Sequence, residues 1–260
     1  MTAFSRKSLL IRACCLVVLT LFQTAYADNL PDTLAKVKPS VVGVGTYQPT
    51  RAPQSRLQGT GFVVADGYHV VTNAHVVKVE LAVDQKEVLV IFTGKGKRAQ
   101  FRQARVLVLD EAHDLALLRI SGTRLLPLKM ADSEQVREGE RYAFTGFPLG
   151  GILGLYPATH QGIVSSITPI AAPMGGSRQL TPELIKRLRN GYEIFQLDAT
   201  AYPGNSGSPL YDQVSGQVVG VINSVFVKGT KEAAIENPSG ITYAIPSRYV
   251  RKLLEKIKSP

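Results

Sequence analysis

Three short blocks of this 260-residue chain carry side chains that could perform covalent chemistry together. In Pro203-Gly204-Asn205-Ser206-Gly207-Ser208-Pro209-Leu210 a serine sits in a glycine-flanked turn between strands. In Val70-Val71-Thr72-Asn73-Ala74-His75-Val76-Val77 a histidine follows a strand-like run and a polar turn. In His113-Asp114-Leu115-Ala116-Leu117-Leu118 an aspartate opens an apolar strand. A serine hydroxyl is a weak nucleophile and needs a base within hydrogen-bond reach. An imidazole suits that task near neutral pH. A buried carboxylate fixes the imidazole tautomer and stabilises the imidazolium. The expected chemistry is acyl transfer, with Ser206 attacking, His75 moving the proton and Asp114 orienting His75. Asp110 competes for the orienting role, but Asp114 immediately precedes the apolar run that should bury it. Gly204-Asn205-Ser206 is the expected oxyanion hole, the N–H groups of Gly204 and Ser206 pointing at one spot. This chemistry requires no metal and no cofactor.

Chain order narrows the class. The histidines are His69, His75, His113 and His160, and all precede Ser206. An α/β-hydrolase needs its histidine after the serine, and Ser208 stands where the G-x-S-x-G elbow needs its last glycine. The order His, Asp, Ser is that of two-barrel proteases. Asp66 could supply the subtilisin order, but that α/β fold conflicts with the strand pattern.

The elements that must position these residues are almost all β. Runs rich in Val, Ile and Phe occur at 40–46, 61–65, 69–72, 88–92, 104–109, 115–120, 142–147, 162–167, 194–198, 217–227 and 241–245. Gly, Pro, Asp or Asn punctuates most gaps, which argues for barrels or sandwiches. A polar break after Pro127, near 129–139, divides the runs into two halves. The predicted fold is therefore all-β: two six-stranded antiparallel barrels, about 38–130 and about 135–246, sharing a cleft. A short helical pattern opens at Leu30, a second helix spans 247–258, and Thr181 to Gly191 reads as a helix inside a long connection from Pro169 to Tyr192. Thr181 can cap that helix, with Pro182 at its first position.

Residues 1–27 read as a secretory signal, with basic Arg6, Lys7 and Arg12, an apolar run and Ala25-Tyr26-Ala27. The run from Ala13 to Phe22 is about half of the ~20 residues that cross a bilayer, so no stable membrane span is expected after cleavage. Both cysteines, Cys14 and Cys15, lie in this segment, leaving 28–260 without disulfides. Removing the signal lowers the formal net charge from +10 to +7. The basic residues are scattered and lack interleaved aromatics, which argues against nucleic acid as a partner. A periplasmic or secreted location is the expectation.

The three blocks resemble those of the HtrA (Deg) branch of trypsin-like serine proteases: Thr72-Asn73-Ala74-His75-Val76-Val77, Asp114-Leu115-Ala116-Leu117-Leu118 and Gly204-Asn205-Ser206-Gly207-Ser208-Pro209-Leu210. Val37-Lys38-Pro39-Ser40-Val41-Val42, Gly146-Phe147-Pro148-Leu149-Gly150, Gly162-Ile163-Val164-Ser165-Ser166-Ile167 and Gly240-Ile241-Thr242-Tyr243-Ala244-Ile245-Pro246-Ser247 resemble further strands of that branch. The resemblance implies a serine endopeptidase acting on unfolded or exposed polypeptide outside the cytoplasm. It implies a P1 pocket near Thr200 and along Ile222-Asn223-Ser224-Val225. Neither stretch holds a carboxylate, so an aliphatic P1 is expected over Lys or Arg. HtrA proteases are commonly trimers, so a homo-oligomer is an open expectation. Departures are Ser208 for a usual glycine, Phe147 for a usually polar residue, the longer 169–192 connection and a sequence that stops after its closing helix, so regulation through PDZ domains is not carried over. Asn205 stands in place of the aspartate that trypsin zymogens pair with a freed N-terminus. The alternative is a latent or inactive protease fold acting as a binding or chaperone-like module.

Overall fold

The computed structural model describes residues 30–150, 154–169, 191–223 and 240–257. Twelve strands form two closed antiparallel barrels. The first holds β1 (Val41–Tyr47), β2 (Ser55–Val64), β3 (His69–Asn73), β4 (Val88–Thr93), β5 (Gln100–Asp110) and β6 (Leu115–Ile120). The second holds β7 (Arg141–Gly146), β8 (Ala158–Pro169), β9 (Glu193–Asp198), β10 (Pro209–Asp212), β11 (Val218–Asn223) and β12 (Ile241–Pro246). The all-β two-barrel expectation holds.

Both barrels close in the same order. The first runs β1-β2-β3-β6-β5-β4, and the second runs β7-β8-β9-β12-β11-β10. Strand β3 therefore corresponds to β9, and the chain leaving each enters the cleft. Full closure leaves every strand paired on both sides, which removes exposed edges. Each barrel is filled by alternating inward side chains. Val42, Val63, Val70, Ile91 and Leu118 fill the first. Phe144, Val164, Phe195, Leu197, Leu210 and Ile222 fill the second.

A third apolar cluster lies between the barrels and fixes the cleft. Phe62, Val71 and Leu117 of the first barrel pack with Tyr211, Val221 and Ile245 of the second. Two helices seal it. Helix α1 (Leu30–Val37) buries Thr33 and Val37, four residues apart and so on one face. Thr33 also donates to the Val214 carbonyl at 3.0 Å, tying α1 to the β10–β11 turn. The closing helix, Ser247–Glu255, buries Tyr249, Val250 and Leu253, with Leu254 and Ile257 partly covered. Its Ser247 hydroxyl donates to the Ala131 carbonyl at 2.8 Å, binding it to the segment that links the barrels. The expected signal segment, residues 181–190 of the expected helix and residues 224–227 of the last-but-one run lie outside the described residues.

Candidate active site

Strand β3 ends at Asn73 and turns into a one-turn helix, α2 (Ala74–Val77), which carries His75. This helix is pinned to the β5–β6 turn. The Ala74 N–H donates to the Asp114 carbonyl at 3.1 Å, and Asn73 Nδ2 donates to the same oxygen at 3.0 Å. The Asp114 carboxylate faces back toward the helix. Its Oδ1 accepts the His75 backbone N–H at 2.9 Å, and its Oδ2 lies 2.7 Å from His75 Nδ1. This two-point grip sets both ring position and tautomer, because a carboxylate only accepts and Nδ1 must then carry the proton. Asp114 is 5% exposed, so the contact is strong. Its φ of +53° is left-handed, a conformation that bends the turn sharply enough to aim the carboxylate at α2. Asp110 takes no part: its carboxylate binds His113 Nδ1 at 2.8 Å.

The chain leaving β9 builds the facing wall. The Asn205 N–H donates to the Tyr202 carbonyl at 2.9 Å, with Pro203 and Gly204 (φ +102°) between them. That is a type II turn, which requires φ > 0 at its third residue. A second turn follows, Ser208 N–H to the Asn205 carbonyl at 3.0 Å, with Gly207 at φ +87°. The nucleophile candidate Ser206 lies between the two glycines and is 7% exposed. Its carbonyl accepts the Thr60 N–H at 2.8 Å, which fastens the turn to the first barrel.

Carbonyl directions reveal where the opposite N–H groups point. The Pro203 carbonyl accepts the Leu149 N–H at 2.8 Å, so across this trans peptide the Gly204 N–H faces the other way, away from Leu149. The Asn205 carbonyl turns to Ser208, so the Ser206 N–H turns opposite. Both are the expected oxyanion donors. Asn205 is corrected as a third: its N–H is committed to Tyr202. Its side chain is instead fully buried, and neither amide atom has a hydrogen-bond partner among the described residues.

Several supporting residues carry no local signal of function. Thr60 Oγ1 accepts the Phe147 N–H at 3.0 Å and donates to the Gly204 carbonyl at 2.7 Å, bridging the barrels. A Cβ on Gly146 would meet Asn205 Oδ1 at 2.8 Å, so the loop needs glycine there. Leu149 holds φ +50° to deliver its N–H. The Gly146-Phe147-Pro148-Leu149-Gly150 block is thus the bed of the oxyanion turn. Only the family resemblance had marked it.

The expected pocket residues are distributed differently. Thr200 is half-buried on the segment before the turn. Ile222 is fully buried with its side chain in the second barrel's core, and its backbone N–H and carbonyl bond the Ser208 carbonyl and the Gly207 N–H, each at 2.9 Å. Asn223 does more than was expected of it: its Nδ2 donates to Asp114 Oδ2 at 2.8 Å, reaching across the barrel boundary. Its side-chain amide supports the carboxylate. Ser224 and Val225 lie outside the described residues. Replacing Asn223 with Ala removes a hydrogen bond to a charged group, worth about 1.5–3 kcal/mol when buried. Steady-state assays of Asn223→Ala should give kcat lowered about tenfold with KM nearly unchanged.

The fold and this arrangement are those of the two-barrel, chymotrypsin-like proteases. The chain belongs to the family described as the trypsin-like peptidase domain, which matches residues 59–221, and within it to the HtrA-like branch. It is 31% identical to serine protease HTRA1A of Danio rerio, over 86% of this chain and 40% of that protein. It is 29% identical to the Chlamydia trachomatis protein named "Probable periplasmic serine endoprotease DegP-like", over 84% of this chain and 37% of that protein. The chain thus spans about two fifths of the length of these relatives. The solved HtrA-type protease AlgW with tripeptide superposes with TM-score 0.65 at 22% identity, covering 88% of this chain and 64% of that one. No helix among the described residues is long and apolar enough to cross a membrane.

Proposed function

We propose that this protein is a serine endopeptidase that hydrolyses peptide bonds in unfolded or exposed polypeptide, through an acyl-enzyme on Ser206. The observation that supports it most is the double contact of Asp114 with His75, opposite a glycine turn that presents Ser206. His75 Nε2 takes the Ser206 proton as Oγ attacks, and later returns it to the leaving amine. The Asp114 carboxylate stabilises the imidazolium. The Gly204 and Ser206 N–H groups hold the oxyanion, each contributing about 3–4 kcal/mol to transition-state stabilisation. The lack of a carboxylate at Thr200 and along Ile222-Asn223-Ser224-Val225 favours an aliphatic P1 over Lys or Arg. The relatives named periplasmic and the basic, apolar start of the chain support action in the periplasm or outside the cell.

The test compares the mature chain with Ser206→Ala. The wild type should digest casein and label with a fluorophosphonate, while the variant loses labelling and about 10⁶-fold of kcat. Equal labelling of both would refute Ser206 as nucleophile. A folded wild type that neither labels nor cleaves would favour the binding-module reading.

A further inference from the structure

A second aspartate–histidine pair lies in the turn that supplies Asp114. Asp110 and Leu115 are the last partners of the β5–β6 ladder, so the turn runs from Glu111 to Asp114. Asp110 Oδ1 accepts the His113 backbone N–H at 3.2 Å, and its Oδ2 lies 2.8 Å from His113 Nδ1. Asp114 grips His75 in the same way, one oxygen on the backbone N–H and the other on the ring. Burial works against a charge on Asp110, but the bonds and charge of His113, with the nearby Lys256 cation, hold its carboxyl below the ordinary aspartate range. A carboxylate only accepts, so His113 Nδ1 carries the proton of this bond. The His113 ring also stacks on Tyr249 of the closing helix at 4.2 Å and meets Tyr192, just before β9, edge-on at 4.8 Å.

The turn needs a brace. Asp114 holds φ +53°, a region that a residue with a Cβ adopts at a cost. Beyond Asp114 the turn is held by Ala74 and Asn73, which both donate to its carbonyl. Before Asp114 the ties are fewer. The turn's own backbone bond, Asp114 N–H to the Glu111 carbonyl, is 3.4 Å long, outside the usual range. Lys78, just after α2, reaches Glu111 at 2.7 Å, but both side chains are more than half exposed, and such pairs contribute little. Asp110 and His113 are only 16% and 25% exposed, so their contact is the least screened of the three. It fixes both the backbone and the ring of the residue that immediately precedes Asp114.

We infer that Asp110 and His113 are positioning residues of the reaction: their hydrogen bond sets the backbone of the turn so that the Asp114 carboxylate reaches His75, while the stack on Tyr249 serves stability alone. This rests on the peptidase reading above and adds two residues to it. Neither side chain touches His75; both act through Asp114. The two contacts of the His113 ring can be separated. An asparagine places its Nδ2 where the imidazole has Nδ1, so His113→Asn keeps a donor to Asp110 and loses the stack. His113→Phe keeps the stack and loses the donor.

The experiment measures kcat, KM and melting temperature for these two variants, Asp110→Ala and Lys78→Met. His113→Phe and Asp110→Ala should each lower kcat about tenfold with KM within about twofold, because a small misplacement of a catalytic group is enough. Their double variant should lose no more than either alone, since both remove one bond. His113→Asn should melt several degrees lower yet keep at least about half of kcat. Lys78→Met should change neither. Activity that follows melting temperature across the set overturns the inference, as does wild-type kcat in Asp110→Ala, which tests the bond with the stack intact should His113→Phe fail to fold. A second readout needs no turnover. In Ser206→Ala, the downfield NMR signal of the His75 Nδ1 proton, identified by its absence from His75→Gln, should survive His113→Asn and shift or broaden in Asp110→Ala. A signal unchanged by Asp110→Ala overturns the assignment even if the wild type proves inactive, a result that would instead count against the peptidase reading.

Discussion

Asp114→Asn should lower kcat about ten-thousand-fold while leaving the protein folded and KM within a few-fold. The reason lies in the donors that surround the carboxylate. Oδ1 accepts the His75 backbone N–H, and Oδ2 faces both His75 Nδ1 and Asn223 Nδ2. An amide has one oxygen and one NH₂, so it cannot accept at both positions. If the NH₂ faces the ring, His75 is held with its proton on Nε2 and cannot accept one from Ser206. If the oxygen faces the ring, the His75 backbone N–H meets another donor. In either case the charge that stabilises the imidazolium is lost. The burial of Asp114 makes this loss large, since little solvent reaches the pair to screen or replace it. Steady-state kinetics on a peptide ester and a melting curve test it. A variant that keeps more than about a tenth of wild-type kcat would show that Asp114 is not the orienting group.

That prediction uses residues visible from local sequence, and the contrast with others is instructive. His75, Asp114 and Ser206 each stand in a short block whose chemistry needs no long-range information. The alternating runs revealed most strands for the same reason, since burial on one face repeats every second residue. Strand β10 escaped as a separate run because Pro209–Asp212 is four residues long and begins at proline. The front of β2, Ser55 to Thr60, is polar and reads as loop, yet it pairs with β1. The matched strand order of the two barrels is invisible as a repeat. Closure joins β1 to β4 and β7 to β10, and pairing geometry preserves that order whatever side chains fill the barrel. The support that Asn223 gives Asp114 was missed for a related reason: the contact spans 109 residues, and nothing beside it marks an amide that crosses from one barrel to the other.

The correspondence between β3 and β9 explains why the site lies where it does. His75 follows the third strand of one barrel, and Ser206 follows the third strand of the other. The base and the nucleophile therefore come from matching connections, brought together by the packing of one barrel on the other. The first barrel carries both members of the His75–Asp114 pair, and the second adds only the Asn223 amide to it. Ser206 is held from both barrels, by Thr60 and Thr72 of the first and the Leu149 N–H of the second. Thr72 Oγ1 donates to the Thr60 carbonyl at 2.7 Å, which holds the strand whose next contacts are Ser206 and Gly204.

Gly204 is the weakest point of that second arrangement, and Gly204→Ala should expose it. At φ +102° an L side chain is strained, and a Cβ there would run into the Phe147 carbonyl, which is backbone and cannot swing aside. The least costly relief is rotation of the Pro203–Gly204 peptide. Rotation breaks the Leu149 N–H to Pro203 carbonyl bond and turns the residue-204 N–H out of the oxyanion position. The His75–Asp114 hydrogen bonds would be untouched, because they run between α2 and the β5–β6 turn. The expected result is a loss of about 10²–10³ in kcat, the cost of one oxyanion donor, with a modest fall in melting temperature. Fluorophosphonate labelling should slow by a similar factor but still reach completion, since the nucleophile and its base remain. A variant that melts normally and retains full kcat would show that the Gly204 N–H does not serve the oxyanion. A variant that never labels would show that the turn positions Ser206 itself, and that the two roles cannot be separated in this loop.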